Sequence, residues 1–242
     1  MYDIPEGKRA TKGKSIMNFL PLSENEKITS ILPMPKIVKG MEVSLMMVTK
    51  NGVAKKVSAS SFHDVRSSGI IAITLEGNDE LVSASFVKKG DTCIIVSNKG
   101  QAIHFKESDI REMGRTAIGV RAIKLSKGDF VVCAETVLKE ANLPTLMIMS
   151  SNGFGKRSDI DEYKIQKRGG SGIKTAKVTS KTGSLIGAKV FDKDEGEVVA
   201  MSQKSQVIRV DIKEIPVLGR QTQGVRIMKL KDGDLIASMV CI

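Results

Sequence analysis

The chain has 242 residues, of which 41% are hydrophobic and 4% aromatic, and it contains no Trp. This hydrophobic content excludes a disordered chain, and the shortage of aromatic side chains argues against binding single-stranded nucleic acid by base stacking. The formal net charge of +11 exceeds what solubility alone usually requires. It favours a polyanionic partner, either nucleic acid or an anionic membrane surface.

Three cysteines, Cys93, Cys133 and Cys241, lie far apart and form no Cys-x-x-Cys pair. Their spacing predicts reduced thiols in a cytosolic protein and no zinc site. The first twenty residues contain several charges without a following apolar segment, so the sequence predicts no signal peptide. No apolar run reaches the length of a membrane span, and we expect no membrane partner.

The first segment of the chain resembles a segment near its end. Positions 4, 9 and 13 correspond to positions 215, 220 and 224, at a constant offset of 211 residues. The matching pairs are Ile4 and Ile215, Arg9 and Arg220, and Gly13 and Gly224. We therefore expect the chain to open in the middle of a repeat and to contain four complete repeats after that half.

Each complete repeat begins with a predicted hairpin, in which a tight turn joins an apolar strand to a strand with basic residues. The turns centre on Gly52, Gly100, Gly153 and Ser205, at spacings of 48, 53 and 52 residues. Asn51-Gly52 and Asn152-Gly153 predict type I′ turns, which require positive φ at both central residues. Short helical turns are expected near residues 60–63 and 107–109.

A basic loop that contains glycine, followed by an alternating segment, comes after each hairpin, at 65–75, 114–125, 167–178 and 219–230. The loop arginines are spaced by 49, 53 and 52 residues; they are Arg66, Arg115, Arg168 and Arg220. The alternation over 120–125 predicts a half-exposed strand with its basic side chains outward. A further turn and apolar strand close each repeat.

Four strands per unit at this period predict an all-β fold, a propeller-like ring or spiral of four-stranded blades. Each blade has an apolar face that only a neighbouring blade can cover. We expect one domain over residues 1–242. Its predicted parts are a half blade with a connection at 1–40 and complete blades at 41–87, 88–140, 141–193 and 194–242.

The glycine loops are poor candidates for nucleotide binding. Residues 169–175 resemble a P-loop, but Ile173 separates the glycine from Lys174, and a strand is predicted where a P-loop opens a helix. His63 and His104 occupy different positions of their repeats, and no nucleophile–base set or metal-ligand spacing is evident. We expect no catalytic residue, metal site or cofactor in this chain. We expect methionines to fill the core, namely Met46, Met47, Met147 and Met149.

The recurrence of the basic loops predicts a row of cations along one rim. Backbone amides of glycine-rich turns and flanking arginines can bind phosphate, although each glycine also permits a sharp turn by itself. The candidate DNA-binding residues of the loops, of the strands after them and of the first segment are Arg9, Lys12, Lys14, Arg66, Arg115, Arg121, Lys124, Lys167, Arg168, Lys174, Lys177, Arg220, Arg226 and Lys229.

A second candidate set lies just after the hairpin turns. Its residues are Lys55, Lys56, His104, Lys106, Lys156, Arg157 and Arg209. We expect these side chains on an outer face that contacts DNA. The alternative is an ordinary solvated edge strand, on which lysines discourage aggregation.

Several segments are similar to the C-terminal domain of the bacterial DNA gyrase A subunit, and to its relative in topoisomerase IV. They cover nearly the whole chain and include residues 3–13, 18–22, 51–56, 105–111, 152–157 and 219–225. The resemblance implies a β-pinwheel, a propeller-like ring with altered strand connections, which wraps double-stranded DNA around a basic perimeter. It also implies a role in negative supercoiling by ATP-driven strand passage.

Residues 166–172 are similar to the gyrase-A-box of this family, Gln-Arg-Arg-Gly-Gly-Lys-Gly, but differ from it at Lys167 and Ser171. Because they lie in a late repeat, we interpret them as the repeat-equivalent loop and expect a true box to precede residue 1. The resemblance places the catalytic tyrosine in an N-terminal domain, and neither Tyr2 nor Tyr163 matches it. ATP and magnesium would bind elsewhere in the parent enzyme.

The expected function is binding, bending and wrapping of double-stranded DNA without sequence specificity. The partners that the resemblance implies are an N-terminal breakage-reunion domain and an ATPase subunit, in the bacterial cytoplasm at the nucleoid. The sequence does not distinguish gyrase from topoisomerase IV, or a closed ring from a spiral. The alternatives are a propeller-type protein-interaction module and a hydrolase with its site at the ring's axis, although the inward positions look aliphatic.

Overall fold

A computed structural model describes residues 14–20, 22, 26–34, 42–63, 65, 69–192 and 195–242. The first repeat contributes β1 (Val43–Thr49), β2 (Val53–Ser58) and β3 (Leu81–Lys88). The second contributes β4 (Thr92–Ser97), β5 (Gln101–Lys106), β6 (Val120–Arg121) and β7 (Val131–Val137). The third contributes β8 (Thr145–Ser150), β9 (Phe154–Asp159), β10 (Ile173–Lys174) and β11 (Leu185–Phe191). The fourth contributes β12 (Glu197–Ser202), β13 (Val207–Asp211), β14 (Val225–Arg226) and β15 (Ile236–Cys241).

Short 3₁₀ helices follow the four hairpins, at Ala59–Phe62, Glu107–Asp109, Ile160–Glu162 and Ile212–Glu214. A further one spans Ile16–Asn18. The helical turns predicted near 60–63 and 107–109 are therefore confirmed. No helix in the described part of the chain is long and apolar enough to cross a membrane.

The sheets are built by exchange of strands between repeats. Their orders are β3-β1-β2-β6, β10-β5-β4-β7 and β11-β8-β9-β14, and the described strands of the last sheet are β13-β12-β15. In each of the first three sheets, a repeat supplies its hairpin and its closing strand, and the next repeat supplies a two-residue outer strand. The predicted four-stranded blades are therefore confirmed for these three sheets, but one strand of each comes from the following repeat, whereas the strand order within a repeat predicted four of its own. The predicted blade bounds divide the chain by repeat, whereas each of these sheets combines residues of two repeats. The bounds therefore stay predictions.

Each exchanged segment is held at both ends of the hairpin strand that it covers. At one end, the amides of Ala122, Thr175 and Ile227 donate to the carbonyl oxygens of the turn glycines Gly52, Gly100 and Gly153, at 2.8 to 2.9 Å. At the other end, amides of the exchanged segment donate to carbonyl oxygens of the hairpin strand, at 2.7 to 2.9 Å. The pairs are Met113 with Lys56, Gln166 with His104, and Leu218 with Arg157. The glycine loop between these anchor points is therefore a bulge on the outer edge. The predicted strand over 120–125 is reduced to Val120–Arg121, because Arg121 pairs with Val53, the first residue of β2, and the partner strand extends no further.

The central strand of the third sheet is buried on both faces, because a hydrophobic core lies on either side of it. In β8, Leu146 and Ile148 pack against residues of the second repeat, whereas Met147 and Met149 pack against residues of the fourth. Full burial of such side chains stabilises the fold by about 1.5–3 kcal/mol each. The predicted core position of the methionines is confirmed, since the following are all buried: Met46, Met47, Met147 and Met149.

The hairpin turns place one residue in the left-handed region at the same position of every repeat. Gly52, Gly100 and Gly153 have φ of +81°, +81° and +79°, and Ser205 has +62°. The amide of each donates to a carbonyl three residues earlier, as in the 3.0 Å bond from Gly52 to Thr49. Asn51 and Asn152 do not have positive φ, so the predicted type I′ turns are wrong. The observed form is a three-residue loop, a type I turn followed by a left-handed residue.

Strand exchange explains why three of these turns require glycine and the fourth does not. A Cβ at Gly153 would overlap the backbone carbonyl oxygen of Met228, and one at Gly52 would lie 2.7 Å from Ile123 Cγ2. Both of these neighbours belong to the following repeat. Ser205 is exposed, and no exchanged strand among the described residues covers its hairpin.

We expect a serine to be poorly tolerated at a turn that an exchanged strand covers, and a glycine to be well tolerated at the uncovered turn of the fourth repeat. Gly153→Ser should lower the free energy of unfolding by about 2–4 kcal/mol, because it adds left-handed strain and a clash with fixed backbone. Ser205→Gly should change it by less than about 1 kcal/mol. Urea denaturation of both variants measures the difference. Equal effects at the two turns would contradict the role of strand exchange.

Candidate nucleic-acid interface

Six exposed basic residues form a regular row along the outer edge. The second residue of each exchanged strand is basic, and so is the residue three positions later. We call this set the cation row; its members are Arg121, Lys124, Lys174, Lys177, Arg226 and Lys229. No ion pair joins any of these side chains to a described acidic residue. Their charge is therefore available to a partner.

The backbone connects the cation row from one repeat to the next. The amide of Lys124 donates to the carbonyl of Gly170 at 2.8 Å, and that of Lys177 donates to Thr222 at 3.1 Å. Each acceptor lies in the glycine loop of the following repeat. The loops and the cation row therefore form one hydrogen-bonded track along the outer edge.

Two of the loop arginines, Arg168 and Arg220, are bonded to the backbone of this track. Arg168 Nη1 donates to the carbonyl of Arg121 at 2.9 Å, and its Nε donates to the carbonyl of Asp109 at 2.9 Å. Arg220 Nη1 makes the equivalent bond to Lys174 at 2.7 Å. Both side chains are half-buried, whereas Arg115 is exposed. Contact of these arginines with DNA stays a prediction, and the observed bonds give Arg168 and Arg220 a role in holding the track.

The predicted outer position of the second candidate set is wrong for five of its seven members, one of which is His104 at 5% exposure. Lys55 and Lys156 are fully buried, and Arg157 is 4% exposed. Lys56 is nearly buried and is paired with the buried carboxylate of Glu107. By contrast Lys106 and Arg209 are exposed, and Arg209 forms an ion pair with Glu197.

The buried lysines bind backbone carbonyls at the junctions between repeats. Lys55 Nζ donates to the carbonyls of Ala72 at 2.8 Å and Ala117 at 2.9 Å, and to that of Arg115. Lys156 Nζ donates to the carbonyl of Gly219 at 2.6 Å. Burial lowers the pKa of Lys55, and it lowers the pKa of Lys156 to about 8. These ammonium groups lie beneath the glycine loops and support them from inside.

A signal in the sequence distinguishes these lysines from surface residues. The position three residues after the turn centre is Lys55, Ile103, Lys156 and Ile208 in successive repeats. An isoleucine at the equivalent position indicates an inward site, where a lysine must find buried acceptors. Comparison of repeats would have predicted the burial that charge alone did not.

The cation row does not extend into the first repeat. Its equivalent positions there hold Ile71 and Thr74, and Ile71 is 65% exposed. Thr74 keeps the backbone bond of the row, since its amide donates to Ala117 at 3.3 Å. Of the remaining candidates, Lys14 and Lys167 are exposed. Three candidates lie outside the described residues, namely Arg9, Lys12 and Arg66.

The described residues offer little for catalysis. No group of three or more His, Cys, Asp or Glu side chains in this part of the chain could hold a metal ion. Burial raises the pKa of the Cys93 thiol to about 12, so this thiol is protonated at neutral pH. The closing strands are less aliphatic than expected, because Lys189 Nζ lies 2.8 Å from Glu135 Oε2 between β11 and β7. The two charges satisfy each other, and the hydrolase alternative gains no support.

The exchanged outer strands and the basic outer edge define a propeller-like repeat domain with a cationic perimeter. The sequence matches the family described as DNA gyrase C-terminal domain, beta-propeller, over residues 1–33, 44–88, 91–137, 144–192 and 196–242. The chain belongs to this family. The predicted family and the all-β, pinwheel-like fold class are thereby confirmed.

Relatives and solved structures agree with this assignment. The DNA gyrase A subunit of Lawsonia intracellularis is 38% identical over 233 residues, which cover 96% of this chain and 28% of the relative. The DNA gyrase A subunit of Salmonella typhimurium is 36% identical over 239 residues, which cover 99% of this chain and 26% of the relative. The chain therefore spans between a quarter and a third of these relatives' length.

Two solved domains have the same fold. A DNA gyrase A C-terminal domain superposes with a TM-score of 0.79 at 29% identity, covering 95% of this chain and 75% of that domain. The C-terminal domain of a DNA topoisomerase IV superposes with a TM-score of 0.86, covering 95% of this chain and 70% of that domain. At 20% identity, the second likeness concerns the fold alone.

His104 makes one junction between repeats sensitive to acid. Its Nδ1–H donates to the carbonyl of Tyr163 at 2.8 Å, and its Nε2 lies 2.7 Å from the Thr92 hydroxyl. Burial lowers the pKa of His104 below its ordinary value of 6.5. The unfolded chain therefore binds the proton more readily than the folded chain, and the stability from neutral His104 is lost as pH falls below about 6.5.

We expect the free energy of unfolding to fall between pH 7 and pH 5, and to fall less in His104→Gln. His63→Gln is the matched control, because His63 is exposed. Urea denaturation at a series of pH values measures the slopes. An unchanged slope in His104→Gln would contradict burial of a neutral imidazole.

Proposed function

We propose that this domain binds double-stranded DNA through the cation row and bends it along the outer edge. The observation that supports this proposal most strongly is the recurrence of two exposed cations, outside any described ion pair, at the same register in three successive repeats. A scattered surface charge would not keep this register. A partner with regularly spaced negative charges, such as a phosphate backbone, matches it.

The geometry supports contact with phosphates more than reading of bases. The described helices are 3₁₀ turns of three or four residues, too short to lie along a major groove. The cations instead project from strands and loops that are fixed by backbone hydrogen bonds. Bending 20–30 base pairs by 40–90° costs about 1–6 kcal/mol, which contacts with several repeats would offset.

The family supports a place for this domain in a larger enzyme. The relatives are DNA gyrase A subunits. We therefore propose that this domain is part of a type IIA topoisomerase of the gyrase kind, and not of a topoisomerase IV. Its partners would be a breakage-reunion domain and an ATPase subunit, with ATP and magnesium bound outside this chain. Its place would be the bacterial cytoplasm, at the nucleoid.

Neutralising part of the cation row should weaken DNA binding strongly. The variant Lys124→Gln/Lys177→Gln/Lys229→Gln removes one exposed lysine from each of three repeats. We expect affinity for a 40-base-pair duplex to fall more than about tenfold at 0.1 M salt, because phosphate contacts are lost. The plot of log affinity against log salt should become shallower by about 0.9 per lysine. A mobility shift over a range of salt concentrations measures both quantities.

The matched control removes the same charge away from the outer edge. Lys88→Gln/Lys89→Gln/Lys139→Gln changes three exposed lysines, of which Lys88 ends β3 and the other two lie in the turns between repeats. We expect a loss of about twofold or less, with an almost unchanged salt slope. Equal losses in the two triple variants would place the DNA elsewhere. Salt-independent or absent binding by the unaltered chain would favour a protein-interaction module.

A further inference from the structure

The glycine loop of the fourth repeat, residues 219–224, contains a strongly polarised peptide group. The carbonyl oxygen of Gly219 accepts three hydrogen bonds, from Lys156 Nζ at 2.6 Å, from the Thr222 amide at 3.1 Å and from the Thr222 hydroxyl at 2.8 Å. One of these donors is a buried ammonium group. Donors on the carbonyl strengthen the positive end of the same peptide group, which is the amide of Arg220.

This amide already donates a hydrogen bond to a carboxylate of the same chain. The Arg220 N–H donates to Glu162 Oε2 at 2.9 Å. Glu162 ends the 3₁₀ helix Ile160–Glu162 of the third repeat, and its side chain is exposed. An anion therefore lies where an amide of a glycine-rich turn, supported by an ammonium group, would hold a phosphate.

The other two described loops lack this arrangement. The loop of the second repeat has carbonyls, those of Arg115 and Ala117, that bind Lys55. The residue of the preceding repeat that is equivalent to Glu162 is here Ser61, which has no charge. For the loop of the third repeat, the equivalent residue of the preceding repeat is Asp109, whose backbone carbonyl accepts a hydrogen bond from the Arg168 side chain. No carboxylate is bonded to the amide of Arg115 or Arg168 within the described part of the chain. The fourth-repeat loop thus differs from its equivalents.

We propose that Glu162 competes with a DNA phosphate for the amide of Arg220 and so lowers the affinity of the fourth-repeat loop. This inference rests on the proposed function. A phosphate that reaches this loop must displace the carboxylate, and the two anions repel each other until it moves. Because Glu162 is exposed, the carboxylate can rotate into solvent. It therefore weakens binding at this loop without blocking it, and the strongest contact shifts toward the preceding repeats.

Removal of the carboxylate should strengthen DNA binding. In Glu162→Ala, we expect the affinity for a 40-base-pair duplex at 0.1 M salt to rise about five- to tenfold. The salt slope should steepen by about 0.9, as expected for one additional phosphate contact. The matched control is Glu214→Ala, which removes the equivalent residue of the fourth repeat. Glu214 is exposed and bonds to no loop amide among the described residues. We expect this control to rise by less than about twofold, from net charge alone.

The amide resonance of Arg220 separates a local effect from a general one. On titration with the duplex, it should shift at lower DNA concentration in Glu162→Ala than in Glu214→Ala. Equal affinities and salt slopes in the two variants, or an Arg220 resonance insensitive to DNA, would overturn the competition. If the unaltered chain and both variants all fail to bind DNA, the proposed function fails instead. Thermal unfolding of both variants checks that the fold is retained.

Discussion

Pairing between the second hairpin strand of one repeat and a short strand of the next is the interaction on which the rest of this structure depends. It completes each of the first three sheets and fixes the glycine loop as a bulge on the outer edge. It also explains the glycines, because Gly153 and Gly224 lie against backbone of the neighbouring repeat. A repeat has no finished outer edge of its own, so the register of the cations follows from the register of the exchange.

The basic residues divide into two groups with different physical roles. Those beneath the loops, such as Lys55 and Lys156, are desolvated and satisfied by carbonyl oxygens, as buried charges must be. Those just after the exchanged strands, such as Lys124 and Lys177, are exposed to solvent. The net charge of +11 therefore overstates the charge available at the outer edge. Inner cations hold the peptide groups in place, and outer cations offer charge to a partner.

The sequence predicts the repeats, the turn positions, the core methionines and the exposed residues of the cation row, because each of these follows from local spacing. The exchange of strands is not predictable in the same way. The alternation around Val120 is compatible with pairing to its own hairpin or to the preceding one, and only tertiary packing decides between them. The burial of Lys55 is missed because lysine is usually exposed, although Ile103 at the equivalent position indicates otherwise. The carboxylate of Glu162 on the Arg220 amide has no sequence signal, since Ser61 and Asp109 stand at its equivalents.

Strand exchange also has a consequence for synthesis of the chain. β2 ends at Ser58, but its partner β6 begins only at Val120. At a synthesis rate of about 5–20 residues per second, the outer edge of β2 waits about 3–12 s for that partner. An unpaired edge of this kind invites pairing with other nascent chains, and charged side chains oppose it. Lys55 and Lys56 stand on this edge, as Lys156 and Arg157 stand on β9. The ammonium groups of Lys55 and Lys156, which later support the loops, would thus protect the first and third sheets on the ribosome until their outer strands are made.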